Sequence, residues 1–153
     1  MNLFGLIETS GSALQAERMR AEVVAANMAN AETTRTASGE PYRRKMVVFA
    51  EDRPSAGFGQ ALSEAAGGVA GAQEISAPGV HIAAVVEDPS PPLKRYDPGH
   101  PDAGPDGYVS YPDINPITEM VDLMGATRAY GLNGSAIQAE KGMVTSALEI
   151  ART

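Results

Sequence analysis

Apolar side chains recur at helical spacing at both ends of the chain. In residues 3–31 and 117–150 they fall every three, four or seven positions, which aligns them along one side of an α-helix. Each segment would extend about 45 Å. We predict that the two segments pair in a coiled-coil-like seam. Its members are Leu3, Ile7, Leu14, Val24, Met28, Met120, Leu123, Tyr130, Ile137, Val144 and Leu148.

The chain between these segments contains most of its helix breakers and four short runs of β-forming residues. The runs cover residues 42–49, 80–86, 93–96 and 108–111. Asn115 and Pro116 supply a cap and a first helical position for the last helix. The predicted fold class is therefore α+β. Residues 1–34 and 115–153 form the paired terminal helices, and residues 35–114 form a β-rich region with a flexible Gly- and Ala-rich insertion at 53–79.

The composition narrows the possible functions. Aromatic residues make up 5% of the chain and Trp is absent, so an Ala-rich core would bury little area. We expect a marginally stable isolated chain, with terminal helices largely disordered until partners cover them. The net charge of −7 argues against nucleic-acid binding. Cysteine is absent, and neither a membrane-spanning stretch nor a cleavable secretion signal is evident. Composition alone suggests a soluble cytoplasmic chain.

The segment from Tyr96 to Asp102 is the most tempting site for chemistry. It holds His100, Asp97 and Asp102 within six residues, a combination that could bind a metal or perform acid–base catalysis. However, Pro and Gly in this segment favour a structural turn, and His81, the other histidine, lies in a predicted strand. No convergent polar cluster is evident. We therefore predict no enzymatic activity and no cofactor.

A calcium loop is the alternative for the same region. Asp102, Asp106, Gly107, Val109 and Asp113 match five positions of an EF-hand loop. Against it, Gly104 occupies a ligand position and no helix can enter through His100-Pro101. Asp102, Asp106 and Asp113 are thus weak metal candidates. A soluble calcium-binding or adaptor module using residues 102–113 remains the second functional hypothesis.

Asn27, Asn30 and Thr33 place polar groups at three-residue spacing at the end of the first helix. Asn is a poor interior helix residue, because its side chain competes for backbone groups. These residues are either local caps on a fraying helix end or a polar clasp. Such a clasp would fix helix register or the packing against a neighbouring subunit.

Three stretches resemble the bacterial flagellar rod and hook family, and within it the proximal rod proteins. The first is residues 26–33, which include Asn27, Ala29, Asn30 and Thr33. The second comprises residues 85–92, 96–103 and 106–109, and the third is residues 112–124. The first stretch is typical of the whole family, whereas the second is specific to the proximal rod members.

This resemblance implies a structural subunit of the flagellar basal body that polymerises into a tubular drive shaft. Such a subunit transmits torque across the periplasm and encloses the export channel. Family members leave the cytoplasm through the flagellar type III export apparatus without a cleaved signal peptide. Expected partners are copies of this chain, other proximal and distal rod proteins, and the adaptor between rod and export gate. A subunit contact is expected at Tyr96, Asp97, Pro98, Gly99, His100, Pro101, Asp102, Gly107 and Tyr108.

Overall fold

The computed structural model contains two long helices and, between them in the chain, two small antiparallel ribbons. It describes residues 3–52 and 78–152, with side chains from Gly5 onward. The elements in chain order are α1 (Leu3–Ala29), β1 (Lys45–Asp52), β2 (Gly79–Glu87), β3 (Leu93–Tyr96), β4 (Tyr108–Tyr111) and α2 (Pro116–Ile150). The predicted α+β class is confirmed. Residues 53–77, which make up most of the predicted insertion, lie outside the described part.

The two helices pack against each other. The end of α1 meets the start of α2, because Asn27 hydrogen-bonds Glu119, so the helices run antiparallel. Asn115 caps α2 as predicted: its side chain accepts a hydrogen bond from the Ile117 amide at 3.0 Å, and Pro116 occupies the first turn. The cap fixes the start of α2 directly beside the end of α1.

The strands form two separate two-stranded ribbons. β1 and β2 pair from Lys45 opposite Glu87 to Asp52 opposite Gly79, and α1 packs against this ribbon. The Ser12 hydroxyl accepts the Val80 amide at 3.0 Å. β3 and β4 pair from Leu93 opposite Tyr111 to Tyr96 opposite Tyr108. The β1–β2 ribbon thus packs against α1. The β3–β4 ribbon directly precedes α2 in the chain.

The first strand begins later than the sequence pattern predicted. Residues 42–49 were expected, but β1 runs from Lys45 to Asp52. The Tyr42 amide instead donates to the Thr33 carbonyl at 3.1 Å, which ties this residue to the segment that follows α1. Tyr42 therefore bonds to the segment that follows α1 and is not part of the β1–β2 ribbon.

The fully buried positions of the two helices are mostly small or polar, and most of the predicted apolar seam is partly buried. Val24 is buried, and Ile7, Leu14, Met28, Leu123, Ile137 and Val144 are partly buried. In contrast, Met120, Tyr130 and Leu148 are 52%, 46% and 61% exposed, so the structure does not place them within this contact. The side chain of Leu3 lies outside the described part.

The exposed positions follow from how α2 is oriented towards α1. Glu119, Ala126 and Glu140 are its buried residues, and their spacing of seven and fourteen places them on one side of the helix, which the partly buried Ile137 and Val144 share. In addition, α2 has 35 residues and α1 has 27. The last turns of α2, including Leu148, therefore extend towards or beyond the start of α1.

Candidate functional site

A buried amide at the end of α1 connects three elements of the fold. Asn27 is 1% exposed, and its Nδ2 donates to the Lys45 carbonyl at 2.8 Å and to Glu119 Oε2 at 3.0 Å. Its Oδ1 accepts the Lys45 amide at 2.9 Å and the Tyr42 hydroxyl at 3.1 Å. Both donors and both lone pairs are thus used. We call Asn27, Tyr42, Arg44, Lys45 and Glu119 the polar clasp.

The charge in the clasp is a buried ion pair. Glu119 is 1% exposed, and Arg44 Nε donates to its Oε1 at 2.6 Å. The carboxylate lies in the first turn of α2, where the helix dipole favours negative charge. Arg44 and Arg20 also approach Asp122 at 3.6 and 3.5 Å. Every polar group of Glu119 therefore has a partner, which a buried charge requires.

The hydroxyl of Tyr42 completes the clasp as a hydrogen-bond donor. Burial raises the pKa of Tyr42, and the nearby negative charges of Glu87 and Glu119 raise it further. The phenol thus stays protonated at neutral pH and can donate to Asn27 Oδ1. The clasp joins α1, β1 and α2 through one connected set of hydrogen bonds.

The other two polar residues of the predicted group act locally. Asn30 Nδ2 donates to the Ala26 carbonyl at 2.9 Å, and the Thr33 hydroxyl donates to Asn30 Oδ1 at 3.1 Å. Ala29 is exposed. Each of the two alternatives for this motif therefore applies to different residues. Asn27 belongs to the polar clasp within the chain, whereas Asn30 and Thr33 cap the helix end.

Sequence reasoning missed four clasp members. Tyr42, Arg44 and Lys45 were assigned to a strand, and Glu119 was placed only within the last helix. A signal was present, because Glu119 shares a seven-residue period with Ala126 and Glu140. An acidic residue in phase with a buried alanine indicates a charge facing the neighbouring helix, and such a charge needs a basic partner.

The segment from Tyr96 to Tyr108 forms a turn that is held by specific packing and hydrogen bonds. The rings of Tyr96 and Tyr108 pack edge to face with centroids 5.3 Å apart. Gly107 has φ +76°, and a Cβ there would lie 2.7 Å from the Tyr96 ring. The Asp97 amide donates to the Gly107 carbonyl at 3.0 Å. Glycine is thus required at position 107 by both backbone conformation and space.

The polar residues of this turn are occupied by structural contacts. His100 Nδ1 accepts the Asp102 amide at 3.1 Å. Asp102 accepts the Thr34 hydroxyl at 2.7 Å and pairs with Arg35 at 3.3 Å, which holds the turn against the segment after α1. Pro98, Gly99 and Pro101 are exposed at its tip.

The calcium-loop carboxylates do not converge. Asp102 is engaged as described, Asp106 Oδ1 accepts the Tyr108 amide at 3.3 Å, and Asp113 is exposed. Across residues 3–52 and 78–152, no group of three or more His, Cys, Asp or Glu side chains could hold a metal ion. The geometry gives no support to the calcium hypothesis.

The side of α2 that faces away from α1 carries large apolar groups. We call it the outer face of α2; its members are 55–76% exposed and return to one side of the helix. They are Ile117, Val121, Met124, Leu132, Met143 and Ile150. Within the described residues, no helix is long and apolar enough to cross a membrane. Because its exposed apolar groups share one side of the helix, the outer face is a surface of the right kind for packing against other proteins.

Family models match both ends of the chain. Residues 7–35 match a model described as flagella basal body rod protein, and residues 106–150 match one described as flagellar basal body rod FlgEFG protein C-terminal. The first match covers most of α1 and the clasp residue Asn27, and the second covers β4 and all of α2. Both descriptions name one class of protein, the flagellar rod subunits.

Relatives that match over nearly the whole chain identify a family within this class. The chain is 42% identical to the flagellar basal-body rod protein FlgC of Bacillus subtilis, covering 99% of this chain and all of the relative. It is 37% and 35% identical to the FlgC proteins of Borreliella burgdorferi and Salmonella typhimurium, with 98% of each chain covered. The chain belongs to the FlgC family of flagellar basal-body rod proteins. The names of these relatives describe a structural component of the basal body.

Proposed function

We propose that the chain is a non-enzymatic structural subunit of the proximal rod, which polymerises into the tubular drive shaft of the flagellum. In this role it transmits motor torque across the periplasm and encloses the export channel. The observation that carries the proposal is the distribution of side chains on α2. Six large apolar groups of α2 lie exposed on its outer face, whereas its fully buried residues are Glu119, Ala126 and Glu140.

This distribution is expected of a subunit and unfavourable for a monomer. Burying a large apolar side chain stabilises a structure by about 1.5–3 kcal/mol, and the outer face forgoes this contribution in the single chain. A helix of a neighbouring subunit would cover the outer face at the usual spacing of helix contacts. The polar clasp meanwhile holds the helices and β1 in one arrangement, so that each subunit offers the same surface.

The proposal also assigns positions in the tube to the other parts of the chain. The paired terminal helices, predicted over residues 1–34 and 115–153, form the inner core of the tube, and the described part of residues 35–114 packs outside it. Tyr96 and Tyr108 are exposed and supply aromatic area for a contact between subunits. The partners are other copies, proximal and distal rod proteins and the adaptor to the export gate. Export proceeds through the flagellar type III apparatus without a cleaved signal peptide.

Two measurements test the proposal: the protein composition of basal bodies and the assembly of the rod. Mass spectrometry of purified hook–basal bodies should detect this chain in stoichiometric amounts, and electron microscopy of a strain lacking it should show no complete rod. Absence of the chain from basal bodies, or normal rods without it, would overturn the proposal.

Paired variants test the outer face itself. We expect Leu132→Asp to remove the chain from basal bodies without lowering its cellular level, because a charge would be placed in an apolar contact. Gln138→Asp is the matched control, since Gln138 is exposed on the same helix but outside the outer face. Equal assembly of the two variants would contradict the role given to this surface.

A further inference from the structure

One arginine of the β3–β4 ribbon is exposed but held in place by a buried aromatic ring. All four residues of β3 are exposed, whereas Val109 and Tyr111 of β4 are buried. The Arg95 guanidinium lies over the Tyr111 ring, with its carbon 4.0 Å from the ring centroid, and its Nη2 donates to the Tyr111 hydroxyl at 2.6 Å. The imidazole of His100 packs edge to face against the same ring with centroids 6.1 Å apart. Contacts within the ribbon and its turn thus fix the position of the guanidinium.

This arginine lacks an acidic partner in its own chain. A guanidinium carries five N–H groups, and the bond to Tyr111 uses one of them. Within the part of the chain that the structure describes, no carboxylate forms an ion pair with Arg95. The planar group can stack on an aromatic ring and still bind both oxygens of a carboxylate. Because Tyr111 already orders the side chain, such binding would lose less conformational entropy than binding by a free arginine.

The charge of the whole chain indicates which partner supplies the carboxylate. The chain contains 19 Asp and Glu residues but 12 Lys and Arg residues, so copies that assemble bring an excess of carboxylates together. Among the described residues, Glu32 and Glu149 are exposed carboxylates without an ion pair. A fixed and exposed cation attracts such a group from a neighbouring copy. The net charge of −7 disfavours the alternative anions, the phosphates of nucleic acid or of an anionic membrane.

We propose that Arg95 anchors a contact between two copies of this chain by binding a carboxylate of the neighbouring copy. Tyr111 positions the guanidinium. Leu93, which is 53% exposed on the same face of β3, supplies apolar area beside it. This proposal rests on the proposed function, because polymerisation is what brings copies together. It adds a polar contact on the β-rich region to the apolar contact proposed for the outer face of α2.

Photocrosslinking tests which protein lies against this face of β3. The photoreactive residue p-benzoylphenylalanine is placed at position 93, two residues from Arg95 on the same face, and basal bodies that contain the variant are irradiated. We expect a crosslinked product of two copies of this chain, in which mass spectrometry finds the second copy attached near an Asp or Glu side chain. Crosslinks to other proteins alone, or no crosslink, would overturn the proposal.

Variants of the cation then test its role. Arg95→Ala should lower the yield of the two-copy product at least about tenfold, because a carboxylate in the contact would lose its partner. Arg95→Lys keeps the charge without the planar fork and should lower the yield less. Lys94→Ala is the matched control, since Lys94 is an exposed cation on the opposite face of the same strand. An unchanged yield in Arg95→Ala, or an equal loss in the control, would refute the role of Arg95.

A charge exchange distinguishes a lost ion pair from a misfolded ribbon. Arg95→Glu alone should abolish the two-copy product, and combining it with Arg at the acidic position that the crosslink identifies should restore the product. A variant that fails because the ribbon misfolds would not be rescued in this way. Failure of the exchange to restore the product would therefore mean that no ion pair holds the contact.

The purified full chain separates this proposal from the proposed function. If the chain is present in basal bodies without a two-copy product, only the contact at Arg95 fails. If the chain is absent from basal bodies, the proposed function fails, and irradiation of the concentrated purified chain tests the contact. A two-copy product that decreases with added salt, as an ionic contact should, and is lost in Arg95→Ala would support the contact. Its absence would overturn the contact.

Discussion

Asn27 offers the sharpest test of how the terminal helices are held together. Asn27→Ala would remove four hydrogen bonds, two to Lys45 and one each to Tyr42 and Glu119. A net hydrogen bond contributes about 1 kcal/mol, and a buried group left without a partner adds to the loss. Because water can reach the partly buried groups of the clasp, we expect the free energy of unfolding to fall by about 3 kcal/mol.

The assay is urea unfolding of the purified chain, followed by circular dichroism because the chain has no Trp. Asn30→Ala is the matched control, since it removes the same amide one turn later, where the side chain bonds the exposed Ala26 carbonyl and the Thr33 hydroxyl. We expect a loss of about 1 kcal/mol for the control, the low end for two hydrogen bonds. A similar small loss for both variants would refute the claim that Asn27 organises the clasp.

Three further predictions concern charge and glycine. Glu119→Gln should lower the free energy of unfolding by about 3 kcal/mol, because it removes the buried counter-charge of Arg44 and leaves only the more distant Asp122; urea unfolding measures this, and a neutral result would mean that the ion pair is not structural. Gly131→Ala should raise the free energy of unfolding of the isolated chain by about 1 kcal/mol, since a Cβ there meets open space; a loss of stability would show that an unrecognised contact needs the glycine. Gly107→Ala should lower the melting temperature markedly more than Gly99→Ala, because its φ is +76° and the Tyr96 ring lies in the way; equal melting temperatures would contradict this.

Much of the fold could be predicted because it rests on local signals. The spacing of apolar groups indicates both helices, Asn115 and Pro116 mark the start of α2, and β3 and β4 have the predicted bounds. The start of β1 was missed, since Tyr42 is drawn to Thr33 by a contact outside the strand. A local sequence pattern does not reveal such a contact between separate segments of the chain.

The candidate site was predicted only in part, for a physical reason. In the seven-residue pattern predicted for the last helix, Leu123, Ile137 and Val144 are partly buried and Tyr130 is exposed. The apolar groups of the outer face occupy other positions, and the proposed contact that covers them involves partners absent from the single sequence. Asn27 stood out because Asn is unfavourable within a helix, whereas its bonds to β1 depend on tertiary structure.

The central claim is that neighbouring subunits bury the outer face of α2 in the rod. Because the chain has no native Cys, a Met124→Cys variant carries a single thiol on that face, where Met124 is exposed. We would measure maleimide labelling of this thiol in the free chain, in purified basal bodies, and in the same basal bodies after denaturation. The account predicts rapid labelling in the free and denatured samples and strong protection in intact basal bodies. Labelling in intact basal bodies as fast as in the free chain would contradict it.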